Sequence, residues 1–214
     1  MKKRMDPVFV EETKQVYRLK VPFDNIYTSV FLIVSGNEAV LVDCATTRGD
    51  VDGYILPALA ALGYRLFDIK ALVLTHSHGD HAGGLNRIRE LAPQIEVVTD
   101  LRALLEGVFT YLMAGHTADC IGILDTRTHT LLSGDGLQGA GVDKYRCSVE
   151  EPDAYLQTLE RIKADERIEN VLFSHAYEPW NTDGVFDRKG VCDCLLQCKK
   201  YVHKEVNDEG NTGK

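Results

Sequence analysis

Between positions 76 and 81 the chain reads His-Ser-His-Gly-Asp-His, and Gly-Gly follows at 83 and 84. Imidazole nitrogens and carboxylate oxygens are the side-chain atoms that bind divalent metals, and this stretch carries four such groups: His76, His78, Asp80 and His81. Alternate residues of an extended segment point the same way, so His76 and His78 can grip one ion. Asp80 and His81 come after a turn at Gly79 and can face a second. A catalytic ion wants about three protein ligands and one open position. Four local groups overfill one such site and underfill two.

Three further groups supply the deficit, each placed directly after a run of apolar residues. "LVLT" precedes His76, and in the same way "FTYLMAG" precedes His116, "TLLSG" precedes Asp135 and "VLFS" precedes His175. Strand ends in layered α/β folds meet along one edge, where loops carry chemistry on a rigid scaffold. Seven groups are thus expected to converge: His76, His78, Asp80, His81, His116, Asp135 and His175. They include five of the seven histidines in the chain. Asp135 has two oxygens and can bridge two ions. His129 and His203 lack such a context and read as surface residues.

The elements that must position these groups follow from periodicity. Residues 28–34 and 39–43 read as two strands joined at "SGNE", a hairpin signal. Val51, Ile55, Leu59 and Leu62 have helical spacing, with Pro57 expected to kink or delay that helix. A short buried strand over 69–75 leads into the histidine motif, and Leu85, Ile88 and Leu91 mark a helix running to about Pro93. "IEVVT" reads as a strand and "LRALLEG" as a short helix. Strands follow over 109–114, 120–125 and 129–133. A helix follows Pro152, a strand covers 170–174, and a closing helix spans about 190–203. Two strand-rich stretches with helices around them predict an α/β layered arrangement of sheets packed face to face. Residues 1–204 are expected to form one domain and 205–214 a polar, flexible tail.

Composition narrows the function. The chain has 214 residues, 44% of them hydrophobic, with a net charge of −8. That charge argues against a nucleic-acid partner, since phosphate recognition wants clustered Lys and Arg. No run reaches the roughly 18 apolar residues of a membrane span, and the basic N-terminus is not followed by an apolar stretch of signal-peptide length. The six cysteines, 44, 120, 147, 192, 194 and 198, are expected to be free thiols of a cytoplasmic protein. Cys192, Cys194 and Cys198 form C-x-C-x₃-C without a fourth nearby ligand and read as thiols on the last helix.

The motif His76-x-His78-x-Asp80-His81, then Gly115-His116-Thr117, Gly134-Asp135 and a late His175, resembles the metallo-β-lactamase-fold hydrolase superfamily over about residues 25 to 180. The resemblance implies a four-layer αβ/βα sandwich. It implies that His76, His78 and His116 hold one metal, that Asp80, His81 and His175 hold the second, and that Asp135 bridges them. Two zinc ions are the implied cofactors, with iron or manganese as alternatives. Where many relatives read Pro-Gly-His-Thr-Pro-Gly, this chain has Ala-Gly-His-Thr-Ala-Asp. An aspartate like Asp135 is typical of the glyoxalase II-like, lactonase and RNA-processing branches. True β-lactamases generally lack it, so the resemblance points toward the glyoxalase II-like branch and away from antibiotic hydrolysis.

Two zinc ions sharing a water would lower its pKa toward neutrality and present hydroxide as the nucleophile. With Asp80, Asp135 and the hydroxide counted, the centre keeps a charge of about +1. Such a centre suits a small, anionic or carbonyl substrate: an ester, thioester, lactone or phosphodiester. Asp80 is expected to be essential to catalysis as well as a ligand. Lys144, Tyr145 and Tyr177 are candidate substrate contacts; Lys144 stands where glyoxalase II-like enzymes place a glutathione-contacting lysine. Only about forty residues follow His175, too few for the helical substrate domain those enzymes add. No membrane or nucleic-acid partner is expected, and self-association of identical chains is compatible with the sequence. The rival activity is oxidation by a single iron, as in persulfide dioxygenase-like relatives that keep the same motif.

Overall fold

The computed structural model describes residues 7–24, 26–137, 149–176 and 182–209. The chain divides into two compact units, Met1–Thr110 and Tyr111–Lys214.

The first unit is built on a six-stranded sheet of order β1-β2-β3-β4-β5-β6. Its strands are β1 (Val10–Thr13), β2 (Val16–Phe23), β3 (Ile26–Ser35), β4 (Glu38–Val42), β5 (Ala71–Val73) and β6 (Glu96–Val98). β1 to β4 pair antiparallel; β4 with β5 and β5 with β6 pair parallel. β4 and β5 are buried almost throughout, which is why they read as unbroken aliphatic runs. The β3–β4 turn falls at "SGNE" as expected: Ser35 pairs with Glu38, and Gly36 takes a φ of 58° as the first of the two turn residues. One face of the sheet, with Leu19, Leu32, Leu41 and Leu72, packs in a core with Val51, Ile55, Leu59 and Ile88 from the helices.

β1 and β2 are not evident from the sequence. β2 contains a lysine, an arginine and a proline, and Arg18 is nonetheless buried. Its guanidinium is paired with Glu12 at 2.8 Å, donates to Ser29 Oγ at 2.6 Å and lies over the Phe31 ring. A buried charge is tolerated when it is paired and hydrogen-bonded, and here that arrangement hides a strand from its composition.

The helix expected from Val51 onward starts earlier and does not break at Pro57. Thr47 caps α1 (Arg48–Asp50) in a reciprocal capping box with Asp50. A π-helical turn, Val51–Ile55, then leads into α2 (Leu56–Ala61), with Pro57 in its first turn. The wider turn accommodates the proline, which has no N–H to offer an α-helical ladder. α3 (Gly79–Ala82) and α4 (Leu85–Leu91) complete the helices of this unit that bear on the site.

"LRALLEG" is not a helix. Its centre forms β7 (Ala103–Leu105), which turns through Glu106 and Gly107 into β8 (Val108–Leu112). Gly107 has a φ of 74°, open to glycine and strained for other residues. Leu104 and Leu105 are both buried in this hairpin, so turn chemistry and burial override the helix preference of Ala and Leu.

The second sheet has the order β12-β11-β10-β9-β8-β7, the unit boundary falling within β8. The remaining strands are β9 (Ile121–Asp125), β10 (Thr130–Leu132), β11 (Asn170–Leu172) and β12 (Gly184–Val185). β10 pairs antiparallel with β9 and parallel with β11. α5 (Pro152–Ala164) and α6 (Asp187–Glu209) pack on this unit, with Tyr155, Leu159, Ile162, Val191 and Leu195 in one core with Leu124, Leu131 and Val171. No helix among the described residues is long and apolar enough to cross a membrane.

Candidate metal centre

In the first unit the motif sits where β5 gives out. Leu74 and Thr75 continue past the strand to His76, and α3 begins at Gly79, so His81 lies on the helix while His76 and His78 precede it. His76 and His81 are buried, and Nε2 of His76 lies 3.0 Å from Nδ1 of His78. Nε2 of His81 lies 3.5 Å from Asp80 Oδ2.

Beneath these groups is a residue outside the run of candidate ligands. Asp43, the first residue after β4, is completely buried. Its Oδ1 accepts from the Thr75 backbone N–H at 2.8 Å and its Oδ2 accepts from His81 Nδ1, also at 2.8 Å. The Thr75 hydroxyl is 2.9 Å from the same Oδ2. A carboxylate only accepts, so His81 carries its proton on Nδ1 and presents the lone pair of Nε2. The single hydroxyl proton of Thr75 goes to the carboxylate. Thr75 Oγ1, 3.1 Å from His76 Nδ1, is then left to accept from that ring. Nε2 of His76 then carries its lone pair, as Nε2 of His81 does. One buried carboxylate therefore sets the tautomer of two histidines, the arrangement that orients imidazole for metal binding. The signal was present: "AVLVD" is one more apolar run ending in a carboxylate.

The loop after β4 is held against α3 by backbone contacts. Cys44 N–H donates to His81 O at 2.8 Å and Gly84 N–H to Ala45 O at 3.2 Å. A Cβ on Gly83 would stand 1.9 Å from Thr46 O, and one on Gly84 2.2 Å from Cys44 O. The two glycines of the motif are thus required by this close approach. Asp43 and Ala45 pay in backbone strain, with φ of 61° and 59°. Cys44 Sγ lies 3.3 Å from His81 O, and burial pushes its thiol well above the ordinary range.

In the second unit three strand ends deliver three groups. Past β8 the chain reaches His116 through Gly115; past β10 it reaches Asp135 through Gly134; past β11 it reaches His175 through Phe173 and Ser174. All three are buried. Asp135 divides its oxygens between the histidines: Oδ1 lies 3.3 Å from His175 Nε2, and Oδ2 lies 3.9 Å from His116 Nε2. The donor set of each unit, imidazole nitrogen and carboxylate oxygen, suits zinc, iron or manganese.

Lys144, Tyr145 and Tyr177 lie outside the described residues, as do Cys147 and Trp180. His129 is exposed, with Nδ1 3.1 Å from Arg167 O, apart from Asp135 and its partners. Among the described cysteines none forms a disulfide; Cys194 and Cys198 are buried on α6, and Cys192 is half-buried.

Comparison with known proteins bears on the same residues. The family model of the metallo-β-lactamase superfamily matches residues 24–106, the segment containing Asp43 and the whole histidine motif. That part of the chain is similar to the metallo-β-lactamase superfamily. Among curated superfamily relatives, a β-lactamase-like protein 2 homolog of Caenorhabditis elegans is 28% identical over 66% of this chain and 54% of its own length. An atrochrysone carboxyl ACP thioesterase of Pseudocercospora fijiensis is 26% identical over 69% of this chain and 47% of its own length. The chain thus spans about half the length of such superfamily relatives. Of solved structures, a metallo-β-lactamase of Cronobacter sakazakii carrying a mutated HARLDQ motif matches with a TM-score of 0.69. That match covers 95% of this chain and 98% of the other at 15% identity, a likeness of fold. The fold is the α/β sandwich of this superfamily, two mixed sheets with flanking helices.

Proposed function

We propose that this chain is a member of the metallo-β-lactamase superfamily and a hydrolase with two metal ions, zinc in the first instance, working in the cytoplasm on a small anionic ester, thioester, lactone or phosphodiester. His76, His78 and His116 would hold one ion, Asp80, His81 and His175 the other, with Asp135 serving both, so that residues 1–204 act as one catalytic domain. When bound, the ions lower the pKa of water and stabilise a developing oxyanion. The chain's own work is to present lone pairs and exclude water: Asp43 and Thr75 hold His76 and His81 in the metal-binding tautomer, and the buried His116, Asp135 and His175 offer a dry donor set.

The observation that best supports two ions over one is Asp135, whose two oxygens face two different imidazoles. A carboxylate serving one ion has no need of that division. Among the candidate bonds a thioester is favoured, because a relative matched over most of this chain bears the name thioesterase. Lys144, Tyr145 and Tyr177 remain the proposed substrate contacts.

The test joins elemental analysis of the purified protein to a screen of thioesters, lactones and phosphodiesters with chelator controls. The expected result is two zinc ions per chain and a chelator-sensitive hydrolysis that Asp80→Ala abolishes. A protein purified with one iron and no zinc, active only in oxidation, would refute it.

A further inference from the structure

His116 differs from the other ligands in what holds it. His76, His78 and His81 lie within a loop and helix tied to Asp43, whereas His116 stands in a stretch, residues 112–116, whose carbonyls point at another element. Arg161 Nη1 donates to Leu112 O at 2.9 Å and Thr158 Oγ1 donates to Ala114 O at 2.8 Å. The Glu151 backbone N–H donates to Gly115 O at 2.9 Å and that of Glu150 to His116 O at 3.3 Å. All four donors belong to α5 or its first approach. Glu151 is the N-cap of α5, whose N–H has no partner within the helix, so Gly115 occupies a position that the helix leaves open, and His116 meets the residue just before it.

The contact is close enough to exclude a side chain. A Cβ on Gly115 would stand 2.4 Å from Tyr155 Cα, and Gly115 has a φ of 140°. The far end of α5 is fixed as well. Arg188 donates to Ile168 O at 2.8 Å and also to the carbonyls of Ile162, Lys163 and Asp165, where the helix ends. α5 is a rail anchored at both ends, and the His116 segment runs along it. Thr158 is completely buried and its hydroxyl is the side-chain donor nearest the ligand along that rail.

We infer that Thr158 is a positioning residue for His116, holding the Ala114 carbonyl so that the imidazole two residues on is presented in its ligating position. Loss of the hydroxyl leaves the Ala114 carbonyl without its donor and frees the segment to turn about Gly115. The inference rests on His116 being a metal ligand, as proposed above.

The experiment measures zinc affinity of the metal-free protein by competition with a chromophoric chelator, for wild type, His116→Ala, Thr158→Val, Thr158→Ser and Arg161→Leu. Melting of each metal-free form is recorded alongside. Thr158→Val is expected to lose about 10- to 100-fold in affinity, the range for residues that orient a ligand. Thr158→Ser, which restores the hydroxyl, is expected to stay near wild type. Cobalt bound to Thr158→Val should show altered visible absorption, which a change in stability alone does not produce. Arg161→Leu is the variant to read if Thr158→Val does not fold, because Arg161 is only half-buried and acts on Leu112 two residues further back; a weakened affinity is expected. Wild-type affinity in Thr158→Val, or in Arg161→Leu where that is the variant read, overturns the inference when His116→Ala has lost zinc. Wild-type affinity in His116→Ala overturns the ligand assignment itself.

Discussion

Asp43→Asn separates the electrostatic role of Asp43 from its structural one. Asp43→Ala would strand the Thr75 N–H and hydroxyl and the His81 Nδ1–H in a fully buried place. At about 1–3 kcal/mol for each donor left unsatisfied, that is enough to threaten the fold. Asparagine keeps the size, and it tolerates the left-handed backbone that Asp43 adopts. Its orientation is dictated by the Thr75 backbone N–H, which can only donate and so requires the amide oxygen at the place of Oδ1. The NH₂ group then stands at the place of Oδ2, 2.8 Å from His81 Nδ1. Two N–H groups cannot face each other, so the His81 proton moves to Nε2, the nitrogen beside Asp80. His76 should be unaffected, because the Thr75 hydroxyl can still donate to Oδ1 at 3.1 Å. Exchanging hydrogen bonds to a charge for neutral ones costs about 1–2 kcal/mol of stability. The loss in zinc affinity should be about 10- to 100-fold, or about 1.4–2.7 kcal/mol. Chelator competition reads the affinity, and nitrogen NMR of labelled histidine reads the tautomer. An Asp43→Asn protein that binds zinc like wild type with His81 still protonated on Nδ1 would refute the tautomer argument.

Gly83→Ala should be severely destabilising, by about 3 kcal/mol or more, because its Cβ would stand 1.9 Å from a backbone oxygen and neither chain segment is free to retreat; denaturant midpoints check this. Ala45→Gly should be neutral to about 1 kcal/mol stabilising, since glycine relieves the φ of 59° but orders a more flexible unfolded chain. Equal or greater stability with unchanged zinc affinity is the expected outcome. Burial raises the Tyr111 phenol to about 12, with the charge of Asp165 adding to the effect. Its folded form keeps the proton longer than the unfolded chain does. The contribution is therefore full below about pH 10 and is lost as pH rises toward 12. Tyr111→Phe should remove that part of the alkaline fall in stability, worth at most about 1–2 kcal/mol after allowance for solvent, as read from urea midpoints across that range.

Much of the fold is legible because burial leaves a local trace. β4 and β5 are covered on both faces, so "AVLV" and "ALV" contain nothing polar to obscure them. β2 is the counterexample: Arg18 is buried only because Glu12, Ser29 and Phe31 come to it, and nothing in "VYRLKVPF" announces that. β7 is hidden for the opposite reason, since "ALLE" has a helical preference that a glycine turn and two buried leucines overrule.

For the site, the sequence by itself determined the donor atoms. His76, His78, Asp80 and His81 are crowded into one loop, and His116, Asp135 and His175 each follow an apolar run, so type and spacing alone expose them. Only the tertiary structure decided which atoms of those side chains are free to bind. The proton on His81 is set by a carboxylate 38 positions away, the ring of His76 by a threonine that shares it, and the His116 segment by a helix some forty residues further on. A donor's identity is a property of one residue, but its tautomer and aim depend on partners that meet it only when the chain has folded.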